Sequence, residues 1–106
     1  MTSAPLENTA FTEEIVVNLG QTPVNMSKQI PVKLFNKGDI VINVETSIPT
    51  DLNTSVSQPE GFVFPGEFVM MQVGYTPRHK GRFETYITVT SSKQDVWLIR
   101  IWGTGY

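Results

Sequence analysis

The one histidine of this 106-residue chain, His79, is where acid–base or metal chemistry would have to start, and its surroundings argue against both. It stands between Arg78 and Lys80, and its loop supplies no carboxylate to orient an imidazole as a general base. A histidine-based metal site would need Asp or Glu ligands delivered from elsewhere, and no spacing in the chain suggests one. Cysteine is absent, which removes disulfides, thiol nucleophiles and Cys-ligated zinc or iron. The serines and carboxylates are scattered without a nucleophile elbow, an HExxH helix or a phosphate-cradling glycine loop. The residues therefore predict no catalytic centre, no metal and no cofactor, with His79 a solvated loop residue.

Recognition chemistry has more to work with. Arg78, Lys80 and Arg82 place three of the eight basic side chains in one short stretch of a chain whose formal net charge is −2. Such a cluster suits an acidic or phosphorylated peptide, because Arg and Lys make charge-assisted bonds to those groups; the competing reading is a solvated turn. A second feature is an apolar surplus on faces opposite the core-facing residues: Phe35, Val41, Met70, Tyr86, Leu98 and Trp102. If they cluster they form a binding patch, with Trp102 as its anchor; otherwise the N-terminal lead, strand curvature or a neighbouring domain covers them. Addition of a partner's extended strand to a sheet edge is a third route. The acidic balance predicts no nucleic-acid partner. Asn25-Met26-Ser27 and Asn53-Thr54-Ser55 match the glycosylation sequon, which matters only in a secreted protein.

Those side chains must be held by strands. No segment of helical length carries apolar residues at i, i+3, i+4 and i+7, whereas short segments alternate with period two. Ile15, Val17 and Leu19 form one face, Ile30, Val32 and Leu34 a second, and Ile40, Ile42, Val44 and Ile48 a third. Val69, Met71, Val73 and Tyr75 follow, then Phe83, Ile87 and Val89, and last Trp97, Ile99 and Ile101. A short seventh strand is expected within 51–64, where Leu52, Val56, Phe62 and Val63 are sparse. Asn36-Lys37-Gly38-Asp39 offers a glycine for a left-handed turn position, and Phe64-Pro65-Gly66-Glu67 has type II chemistry. Pro77 to Gly81 reads as a hairpin loop closing on a left-handed glycine. Pro31 cannot donate to a ladder, so its strand belongs at an edge or carries a bulge. The prediction is an all-β, seven-stranded, immunoglobulin-like antiparallel sandwich over 14–106, preceded by a polar lead over 1–13. Size and composition allow one domain, expected to be monomeric. The chain shows no secretory leader pattern and no apolar run long enough to cross a bilayer, and reads as soluble and unsorted. Its last residues, Gly103 to Tyr106, stop straight after an apolar run, as a domain cut from a longer protein would.

The ordered landmarks resemble a known family. PVKLFNKGDIVINV (31–44), GFVFPGEFVMMQVGYTPRHKGRFETYITV (61–89) and VWLIRIWGTG (96–105) together resemble the ASH domain, the PapD-like and major-sperm-protein-like sandwich of centrosomal, ciliary and spindle proteins. The resemblance rests on Asn36, Gly38 and Asp39, on Pro65-Gly66, on Pro77 with Gly81 and Phe83, and on Gly103 and Gly105, and it covers about 15–105. It implies a non-enzymatic interaction module of a cytoplasmic scaffold at the centrosome, centriole or cilium, with other proteins or adjacent domains as partners. Spindle-defective-protein-two-type scaffolds are the first expected hosts and hydin-type proteins the next. Major-sperm-protein relatives bind acidic peptides on a basic sheet face; here the basic residues sit on a turn, so that activity is not implied. The rival readings are an architectural spacer packing on domains of its own chain, and a secreted or viral sandwich that binds glycans or receptors.

Overall fold

The computed structural model describes residues 13–49, 51–57 and 61–106. Eight strands follow in order: β1 (Glu13–Thr22), β2 (Lys28–Phe35), β3 (Ile42–Thr46), β4 (Thr54–Val56), β5 (Phe62–Val63), β6 (Phe68–Tyr75), β7 (Gly81–Ser91) and β8 (Val96–Gly105). They form a five-stranded sheet ordered β1-β8-β7-β3-β5 and a three-stranded sheet ordered β2-β6-β4. The expected sandwich is present, with one strand more than expected because 51–64 supplies both β4 and the two-residue β5. Apart from Glu13, which opens β1, the polar lead lies outside the described residues.

The alternation correctly placed the core. Val17, Leu19, Val32, Leu34, Met71, Val73, Ile87, Val89, Trp97, Ile99 and Ile101 are buried between the sheets, and the Tyr75 and Phe83 rings stack there at 4.3 Å. Each large side chain so buried contributes about 1.5–3 kcal/mol against the entropy of ordering the chain. Two apolar residues depart from expectation: Ile40 and Ile48 lie outside β3 and are exposed, because that strand spans only Ile42–Thr46.

Connectivity departs further. β1 pairs with β8 in parallel, whereas the other pairs are antiparallel. Every connection except β7–β8 crosses between the sheets, so Pro77–Gly81 is an inter-sheet arch and not a hairpin loop. Gly81 does take a left-handed φ of 113°, and Gly66, at φ 83°, completes the type II turn with Glu67 N–H donating to the Phe64 carbonyl at 3.0 Å. Gly38 has no positive φ. Its turn is made by Asn36, whose side-chain oxygen accepts from Gly38 N–H at 3.0 Å while its amide donates to the carbonyls of Ile40 and Val63 at 2.8 and 2.9 Å. Gly103 lies inside β8 and is no turn: a Cβ there would sit 2.6 Å from the Phe83 ring and 2.8 Å from the Gly20 carbonyl oxygen. β2 is an edge strand, as Pro31 predicts, and its ladder with β6 runs unbroken past that proline.

Candidate protein-docking surfaces

Alternation along β7 and β8 turns Arg82, Glu84 and Tyr86, and Leu98, Arg100 and Trp102, away from the core onto the outer face of the five-stranded sheet. Register sets Glu84 opposite Trp102, Tyr86 opposite Arg100 and Thr88 opposite Leu98. On the other side of β8, Glu14 faces Leu98 and Val16 faces Arg100. Arg100, on β8 between β1 and β7, reaches Glu14 at 3.0 Å and Glu84 at 3.4 Å, and its guanidinium lies over the Tyr86 ring at 5.6 Å. The Tyr86 hydroxyl donates to Glu84 at 3.3 Å. At the neighbouring position, the Arg82 guanidinium lies over the Trp102 indole at 4.6 Å. Each stacked pair at a half-exposed site is worth about 0.5–1 kcal/mol. A cation covers one face of both rings, so the sheet offers mixed charged and apolar contact and no bare aromatic platform.

The basic cluster is divided by the fold. Arg78 donates from Nε to Asn53 Oδ1 at 3.2 Å and from Nη1 to Asn25 Oδ1 at 3.1 Å, binding three loops together. Both sequon asparagines are thus acceptors for one arginine. Arg82 belongs to β7 and the sheet face, while Lys80 and His79 are exposed on the arch. A cleft of about 330 Å³ runs under the arch between Asn53, Tyr75, Arg78 and Glu84. Burial pushes the Tyr75 phenol above its usual value of 10.0, opposed by the Asn53 side chain and aided by the Asp51 carboxylate.

The apolar surplus does not form one patch. Tyr86, Leu98 and Trp102 share the five-stranded face, Phe35 and Met70 lie on the three-stranded sheet, and Val41 precedes β3 at one end of the sandwich. Phe35 packs on Phe68 with ring centroids 5.4 Å apart, and Lys33 Nζ sits over Phe68 at 4.7 Å. Between the edge strands β1 and β2 runs an apolar groove of about 500 Å³, walled by Ile15, Val16, Ile30, Val32, Phe35 and Met70. Sequence reasoning passed over Arg100, Glu14 and Glu84; the alternation of Leu98, Arg100 and Trp102 was the available signal for the first. It placed Phe62 in the sparse 51–64 segment and Phe64 in a turn without marking either as a surface candidate, because the two-residue β5 gives no alternation to read. Among the described residues no cluster of three His, Cys, Asp or Glu side chains is placed to hold a metal ion, and no helix is long and apolar enough to cross a membrane.

A family model described as the HYDIN/CFA65/VesB-like, Ig-like domain matches residues 11–104. The chain belongs to this family. Among solved structures, the ASH/PapD-like domain 7 of human CEP192 superposes with a TM-score of 0.72 at 12% identity, covering 86% of this chain and 80% of that one. The Vibrio cholerae VesB protease gives a TM-score of 0.66 at 15% identity over 86% of this chain and 30% of its own. A Bacteroides ovatus GH5 xyloglucanase, solved with a XXXG heptasaccharide, gives 0.52 at 10% identity over 88% and 17%. No curated protein sequence matches the chain. The expected ASH/PapD-like sandwich is therefore the fold of this family member, and the two enzyme likenesses each span a minor part of a larger chain.

Proposed function

We propose that this domain is a non-enzymatic protein-interaction module of a centrosomal or ciliary scaffold, and that it presents the outer face of β1, β8 and β7 to its partner. The carrying observation is the pair of Arg–aromatic stacks, Arg82 on Trp102 and Arg100 on Tyr86, on a sheet face that no other described strand covers. Arg, Trp and Tyr are the residue types that dominate binding energy at protein interfaces. The hydin and CEP192 names among its relatives support placement at the cilium, centriole or centrosome. A flat surface of this kind recognises through side-chain anchors within a broad contact, and it encloses nothing that would shelter a reaction from water.

The test is affinity capture from ciliated-cell lysate on the immobilised domain, beside a Tyr86→Ser/Trp102→Ala form whose thermal melt shows it folded. The expected result is enrichment of centrosomal or axonemal proteins that the variant loses by roughly tenfold or more. Equal capture by both forms would move the site off this face, and no enrichment by the wild type would return the domain to the spacer reading.

A further inference from the structure

The two ends of the sandwich carry complementary chemistry. Because β1 and β8 run in parallel, the start of both strands marks one end and the finish of both marks the other. At the first end β5 and the β5–β6 loop expose Phe62 and Phe64, at 70 and 58%, and the β2–β3 loop exposes Ile40 and Val41, at 51 and 43%. The Ile42↔Val63 pairing turns those two side chains into the core and leaves their strand neighbours outward. Among the described charges there, Lys37 lies 3.6 Å from Glu13, Lys93 Nζ lies against Gly38 and Lys33 Nζ lies over Phe68, so four carboxylates, Glu13, Asp39, Glu67 and Asp95, face three lysines, with Asp39 and Glu67 beside the phenylalanines. The opposite end gathers Lys28, Arg78, Lys80 and Arg82 against Asp51 and Glu84. An exposed apolar cluster of this kind is a docking surface or a liability, and the far end of the same molecule carries an excess of cations that suits the carboxylate excess at its rim.

We propose that the basic end of one copy of this domain seats on the phenylalanine-bearing end of a second copy, with Lys80 and Arg82 facing Asp39 and Glu67 around Phe62 and Phe64. The contact is heterologous: each copy uses two different surfaces and leaves one of each free, so association extends in a line and does not stop at a closed dimer. The contact shares Arg82 with the β1-β8-β7 face, where its guanidinium lies over Trp102, and leaves the rest of that face open; the sedimentation of the wild type tests it apart from the function proposed for that face. One end of a small domain is a modest area, so the contact is weak between separate molecules and becomes strong when copies are tethered.

The test is sedimentation of the intact chain at concentrations up to about 1 mM, in about 50 mM and about 500 mM salt. The expected result is a sedimentation coefficient that climbs with concentration at low salt and much less at high salt. Two charge-reversed forms decide the geometry: Lys80→Glu/Arg82→Glu, and Asp39→Lys/Glu67→Lys. Arg78 is left alone because it ties loops together. Each form by itself should stay monomeric, since both of its ends then carry the same sign, and an equimolar mixture should associate again. Phe62→Ser/Phe64→Ser should weaken association roughly tenfold in either salt. A wild type that stays monomeric at the highest concentration, or a mixture no more associated than its components, overturns the proposal; thermal melts of every form separate these results from misfolding.

Discussion

Asn36 and Arg78 hold opposite ends of the sandwich by the same device and at different cost. Each is a single polar side chain that spans loops distant in sequence: Asn36 joins β2 to the carbonyls of Ile40 and Val63, and Arg78 joins the β6–β7 arch to Asn25 and Asn53. Asn36 does so at 2% exposure, where water cannot replace a lost bond, whereas Arg78 works at the surface, where it can. The same kind of bond therefore specifies structure at one end and only steadies it at the other. That difference also leaves the exposed cations near Arg78 available to partners, while nothing of Asn36 is.

The largest effect that would break this comparison is Asn36→Ala. The buried Val63 carbonyl, the part-buried Ile40 carbonyl and the Gly38 N–H lose their partner, which should cost about 3 kcal/mol and lower the melting temperature by roughly 12–20 °C; a loss no greater than that of Arg78→Ala would show that burial does not separate the two. Arg78→Ala should cost about 1 kcal/mol or less, a melting shift of roughly 4 °C. Arg78→Lys should recover little of it, because a point charge cannot serve both asparagines as the guanidinium fork does. The smallest effect is alkaline. With the Tyr75 phenol raised by burial above 10.0 in the folded state, the unfolded chain loses that proton first, so the stabilisation is complete below the unfolded value and is lost as pH climbs through the folded one. Calorimetry between about pH 9 and 11 should show a decline that Tyr75→Phe flattens.

Much of the core was legible because alternation states directly which face a strand residue occupies. It is silent about which sheet the strand joins. Pro77–Gly81 carries turn chemistry that suits a hairpin and an inter-sheet arch equally, and only the pairing of β6 with β2 and β4 decides. Nor does any local pattern say that β1 runs parallel to β8, because strand direction is settled by contacts more than 80 residues apart. On the candidate site the same limit holds. The outward placement of Tyr86, Leu98 and Trp102 follows from period two, but the Arg100 pairs with Glu14 and Glu84 depend on register, and the separation of Arg82 from Arg78 depends on where β7 begins. Exposed Phe62 belongs to a two-residue strand that its sequence cannot announce, and exposed Phe64 to the turn that follows it.

The parallel pairing of β1 with β8 also sets how the domain bears load. Tension applied where β1 begins and where β8 finishes pulls the two strands along their length in opposite directions, and the parallel ladder on either side of its irregularity between Asn18 and Gln21 resists together in shear. An antiparallel terminal pair with both ends on one side would instead open one bond at a time, like a zip.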